Sequence, residues 1–155
     1  MVAQFTQIPP ITVVMFRHTG PFDQMPPKFE QLWNWVTANN VPAQRTIGIY
    51  YDNPDVTPAN QLRSAACVEV PLGYQMPNTG GLPLELAQIA GGAYATTRYI
   101  GPYEAMEPVW TAFTKWIEES QKRQISDNPA FEVYVNDPSD TPPDQLITEM
   151  YMPVI

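Results

Sequence analysis

Phe131-Glu132-Val133-Tyr134-Val135-Asn136-Asp137-Pro138 carries the pattern from which the architecture of the chain can be worked out. Phe131, Val133 and Val135 alternate with Glu132 and Tyr134, the period-two pattern of a strand. Asn136-Asp137-Pro138 then ends the strand with turn residues. A carboxylate in mid-strand is uncommon, because Glu is a poor strand former and is rarely buried without a partner. Glu132 therefore either faces water on an open sheet surface or lies where a positive group meets it.

The same stretch occurs earlier without the acid. Gly48-Ile49-Tyr50 aligns with Glu132-Val133-Tyr134, and Pro54-Asp55-Val56-Thr57-Pro58 with Pro138-Ser139-Asp140-Thr141-Pro142, at an offset of 84. Further out, Phe16-Arg17-His18-Thr19-Gly20-Pro21-Phe22 aligns with Thr97-Arg98-Tyr99-Ile100-Gly101-Pro102-Tyr103 at an offset of 81. Holding that offset, Phe29, Leu32, Trp35 and Val36 meet Trp110, Phe113, Trp116 and Ile117. The chain reads as a tandem duplication of strand-helix-strand-strand halves, about 1–72 and about 90–155, within a single domain over 1–155.

In the first half, Thr12–Arg17 reads as a strand, Met25–Asn39 as a helix with proline in its first turn, and Thr46–Tyr51 and Ser64–Val70 as strands. Residues 1–11 precede the first strand, and 71–90 read as an irregular join around Asn78-Thr79-Gly80-Gly81. The second half gives a strand over Ala93–Ile100, a helix over Glu104–Gln121, and strands over 130–135 and 146–152. Each half alone is too small to hide its sheet and helix. The expected fold is α+β: an antiparallel sheet with the helices on one face, pseudo-twofold symmetry and a central cleft.

Composition narrows the function classes. Of 155 residues, 44% are apolar, as in a globular chain, and no apolar run approaches the ~20 residues of a membrane span. The chain is therefore expected to be soluble, to have no membrane partner and, by default, to be cytoplasmic. A net charge of −8 argues against direct nucleic-acid binding and suits a cationic ligand or a basic protein patch. With one cysteine, Cys67, and one histidine, His18, no disulfide or Cys/His metal cluster is expected, and no cofactor is called for. Cys67, in Ala-Ala-Cys-Val, reads as a small buried residue.

Taken together, Arg-His-Thr-Gly-Pro-Phe at 17–22, Ile-Tyr-Tyr-Asp-Asn-Pro-Asp-Val-Thr-Pro at 49–58, Gly-Gly-Ala-Tyr-Ala at 91–95 and Phe-Glu-Val-Tyr-Val-Asn-Asp-Pro at 131–138 give the chain a family resemblance. It resembles the GyrI-like (DNA gyrase inhibitor-like) ligand-binding family over essentially its whole length. The same module is similar to the effector-binding half of AraC-type and multidrug-responsive activators. Residues 1–11 are too few for a helix-turn-helix segment, so a free-standing module is expected. The resemblance implies a lipophilic, cationic ligand in an aromatic cleft. It maps the acidic floor of that cleft onto Glu132, and aromatic walls onto Tyr51, Trp110, Tyr103 and Tyr151.

Three functions follow from the resemblance. The preferred one is binding of small lipophilic cations, as an effector-sensing or toxin-sequestering module. Hydrolysis of strained cyclopropane-containing toxins is the enzymatic alternative, with Glu132 as catalytic candidate and Tyr103 or Tyr151 as proton donor. Inhibition of DNA gyrase is the third. The repeat-matched residues read as structural: Trp35 and Trp116 as core, Arg17 and Arg98 as partners of strand-end acids or carbonyls. Gly20 and Gly101 read as turn formers, and Tyr50 and Tyr134 as fold-maintaining.

Overall fold

The computed structural model describes residues 2–155. Along the chain run β1 (Ala3–Ile8), β2 (Ile11–Thr19), α1 (Pro26–Ala38), β3 (Thr46–Tyr50), β4 (Arg63–Glu69), β5 (Leu84–Ile89), β6 (Gly92–Ile100), α2 (Glu107–Lys115), β7 (Ala130–Tyr134) and β8 (Ile147–Pro153). The fold is mixed α+β, with antiparallel strand pairing. Among the described residues no helix is long and apolar enough to cross a membrane.

The chain forms two compact units. The first is Pro10–Ala90, whose strands lie side by side as β3-β4-β2-β5. Alternation sends Val14, Phe16, Ala66 and Val68 to one face, where they bury Leu32, Trp35 and Val36 of α1. Pro26 and Pro27 open that helix, where a missing N–H costs nothing. Leu32 is fully buried, a contribution of about 2 kcal/mol.

The second unit is Gly91–Ile155 joined by the chain up to Pro9, with strands ordered β1-β6-β8-β7. Phe113 and Ile117 pack on Ala95 and Met150. The single helix expected over Glu104–Gln121 is in fact three pieces: a 3-10 turn at Tyr103–Ala105, then α2, then a π turn at Trp116–Ser120. Pro108 lies in the first turn of α2, where it suits a helix start. Gln121 N–H donates five residues back to the Trp116 carbonyl, closing the π turn.

Strands β1 and β5 lie in the segments read as a lead-in and an irregular join. Ala-Gln-Phe-Thr-Gln-Ile and Leu-Glu-Leu-Ala-Gln-Ile are rich in Gln, Ala and Leu, which favour strands weakly. Pairing supplies what propensity lacks: Ala3–Ile8 against Thr97–Gly92, and Ile89–Leu84 against Ile11–Phe16. Neither strand pairs with the one that follows it in sequence. Between β1 and β2 the link is Pro9-Pro10, whose fixed negative φ cannot form the positive-φ turn of a two-residue hairpin.

Smaller expectations meet the structure directly. Cys67 is fully buried, and burial pushes its thiol well above the usual range. His18 pairs with Ser64, three residues from Cys67, so the two side chains leave opposite faces of the sheet. Arg17 bonds Glu85 and Arg98 bonds Glu149. Gly20 and Gly101 have positive φ, and their N–H groups donate to Leu62 and Leu146 across the strand ends.

Candidate functional site

Glu132 lies in the middle of β7, opposite Met150 of β8. Met150 belongs to the core under α2, so the Glu132 side chain leaves the sheet on the helix side. It is 6% exposed. A carboxylate taken out of water is costly unless its oxygens accept hydrogen bonds. Both do here: Trp110 Nε1–H donates to Oε2 at 2.5 Å, and the Tyr134 hydroxyl donates to Oε1 at 2.7 Å. Bonds to an ionised acceptor are the stronger kind.

Each donor is set by local structure. Tyr134 is two residues beyond Glu132 on the same strand, which puts both side chains on one face. Trp110 comes from the first turn of α2, where its N–H bonds the Met106 carbonyl. Behind it Trp110, Phe113, Trp116 and Phe5 form a ladder of ring contacts with centroids 5.9, 6.4 and 5.5 Å apart. This ladder fixes the indole that faces the carboxylate.

Tyr103, in the 3-10 turn before α2, meets the Tyr134 ring edge-on at 5.5 Å. Its phenol is pushed up by partial burial first, and then by the negative charges of Asp137 and Glu132. The structure thus gathers Glu132, Trp110 and Tyr103, with Tyr134 as a fourth member. Tyr134, expected from its match with Tyr50 to maintain the fold, also bonds the carboxylate. The available signal was the Glu-x-Tyr spacing, which on a strand means one face.

The other two expected wall residues lie elsewhere. Tyr151 is the cross-strand partner of Phe131, stacks on it at 4.6 Å and 5°, and meets Tyr94 edge-on at 6.2 Å. Phe131 and Glu132 are neighbours on one strand, so Tyr151 sits on the sheet face opposite Glu132. Tyr51 belongs to the first unit. Its hydroxyl lies 3.7 Å from Met15 Sδ, and the guanidinium groups of Arg17 and Arg63 are each 5.9 Å from its ring. Its phenol is raised by burial, against the opposing pull of Arg17. Among the described residues no group of three or more His, Cys, Asp or Glu gathers as a metal site.

A carboxylate held by an indole and a phenol, beside a further aromatic ring and inside an α+β module, has the character of a small-molecule-binding domain. Comparison with known proteins supplies the family. The chain belongs to the GyrI-like family: the model described as GyrI-like small molecule binding domain matches residues 1–155. A DNA gyrase inhibitor of Citrobacter rodentium (strain ICC168) is 35% identical over 136 residues, covering 86% of this chain and 85% of that protein. The C-terminal domain of EcmrR shares the fold at TM-score 0.77, with 18% identity over 99% of this chain and 97% of that one. So does SAV2435, solved bound to tetraphenylphosphonium, at TM-score 0.65 and 18% identity over 100% of this chain and 94% of that one.

Proposed function

We propose that the protein binds lipophilic cations at Glu132, as an effector-sensing or sequestering module. The observation that carries this is the carboxylate itself, 6% exposed and fixed by Trp110 and Tyr134 among aromatic rings. Indole and phenol faces attract a desolvated cation by about 0.5–2 kcal/mol each. The carboxylate adds the charge that discriminates a cation from a neutral aromatic of the same size. A relative of the same fold was solved with tetraphenylphosphonium, which makes that cation a sensible first probe.

Calorimetric titration of tetraphenylphosphonium into the wild type and Glu132→Gln tests the reading. Gln keeps the shape and removes the charge, so affinity should fall at least tenfold while the thermal midpoint stays within a few degrees. Equal affinity in the two proteins would overturn the assignment.

A second reading is inhibition of DNA gyrase, favoured by relatives of that name that cover most of this chain at 35–38% identity. The acidic composition suits a basic surface on such a partner. Purified protein added to a supercoiling assay decides it: loss of supercoiling in proportion to added protein supports the reading, and unchanged supercoiling at large excess removes it.

A further inference from the structure

Thr148 sits on β8 with Tyr134 of β7 on one side and Tyr99 of β6 on the other. It is completely buried, and its Oγ1 has no hydrogen-bond partner among the described residues. A buried hydroxyl left in that state costs about 1–3 kcal/mol, so such groups are rare and invite explanation.

The first unit supplies the contrast. Ser64 is the corresponding residue of β4, between Tyr50 of β3 and His18 of β2. Its hydroxyl lies 3.1 Å from Met25 Sδ, at the start of α1. Met106 stands at the matching place before α2, yet Thr148 makes no such contact. The extra methyl makes threonine stiffer at χ1 than serine.

Thr148 shares the helix-side face of β7 and β8 with Glu132. Glu132 faces Met150 and Tyr134 faces Thr148, so Glu132 and Thr148 are diagonal neighbours. On an antiparallel pair such positions lie about 7–8 Å apart. We propose that Thr148 Oγ1 is the second polar anchor of the Glu132 site. The favoured ligand is then a flat aromatic cation carrying an N–H or O–H several ångströms from its charged centre. This rests on the cation-binding reading above and narrows the class of ligand. Because Thr148 is completely buried, a ligand reaches it only if the packing around it yields as the ligand enters.

Ethidium fits the description, since it is an aromatic cation whose ring amines lie several ångströms from its quaternary nitrogen; the deaminated phenanthridinium of the same skeleton is its control. Titrate both, with tetraphenylphosphonium, into the wild type, Thr148→Val, Thr148→Ser and Glu132→Gln. Thr148→Val should weaken ethidium fivefold or more and leave the deaminated cation and tetraphenylphosphonium within twofold, while Thr148→Ser keeps ethidium affinity. Thr148→Val should also raise the thermal midpoint by about 2–4 °C, because a methyl replaces an unpaired hydroxyl.

Unchanged ethidium affinity in Thr148→Val, or an equal loss for all three cations, would overturn this inference while leaving Glu132 in place. Absence of tetraphenylphosphonium binding, or equal binding by Glu132→Gln, would remove the underlying reading and this one with it.

Discussion

Strands β3 and β7 invite comparison because their surroundings match position by position. Gly48 faces Ala66, which in turn faces Phe16; Glu132 faces Met150, which faces Thr97. Phe22 meets Tyr50 edge-on at 4.9 Å, as Tyr103 meets Tyr134 at 5.5 Å. Even the turn bonds agree: Arg63 N–H donates to Asp52 Oδ2 and Ile147 N–H to Asn136 Oδ1, both at 2.8 Å. The differences then stand out. Where the second unit has Glu132 with Trp110, the first has Gly48 with Phe29, and the Lys28 ammonium sits 4.2 Å above the Phe16 ring. One scaffold can therefore carry a buried acid or do without one. The acid comes with its donor.

The largest test of that contrast is to move the acid alone. Gly48→Glu would bury a carboxylate where the aligned aromatic, Phe29, has no side-chain N–H and Tyr50 is the one matching donor, and should cost about 3–5 kcal/mol in urea unfolding. An unchanged midpoint would mean that the first unit already accommodates the charge. A smaller effect is expected from Trp110→Phe, which makes the second unit resemble the first. Losing the indole donor from Glu132 should cost about 1–3 kcal/mol and weaken tetraphenylphosphonium binding as well. If stability and affinity both survive, the indole is only packing.

The smallest effect concerns the two turns. Asp52 is held below its usual value by the Arg63 side chain and, secondarily, by the Arg63 backbone N–H. A depressed carboxylate contributes stability above its unfolded value, 3.8, and loses it as pH falls through the folded value. Asp52→Asn should therefore flatten the thermal-midpoint curve below about pH 4, while near pH 7 the turn persists because Asn accepts the same bond, as Asn136 does. A steeper acid limb in the variant would contradict the assignment.

Much of this was legible beforehand. The three-and-four spacing of Phe29, Leu32, Val36 and of Trp110, Phe113, Ile117 placed both helices on the sheet, and the alternation around Val133 placed β7. Gly48 and Glu132, aligned in the sequence, lie at mid-strand in β3 and in β7. What escaped was long-range or conformational. Strands β1 and β5 have little strand propensity and exist through partners 68–94 residues away. The π turn at Trp116–Ser120 leaves the apolar pattern of the helix intact, so nothing in the pattern announces it.

Two helices, six of the eight described strands and the singular position of Glu132 follow from local periodicity and turn chemistry, which a sequence carries on its face. Only the tertiary structure decided that β1 joins β6 and β5 joins β2. It alone placed Tyr151 across the sheet from Glu132, and the Trp110 indole and Tyr134 phenol on the carboxylate. Those outcomes depend on which strand edges meet and which side chains share a face. Residues distant along the chain settle that jointly, and no local stretch encodes it.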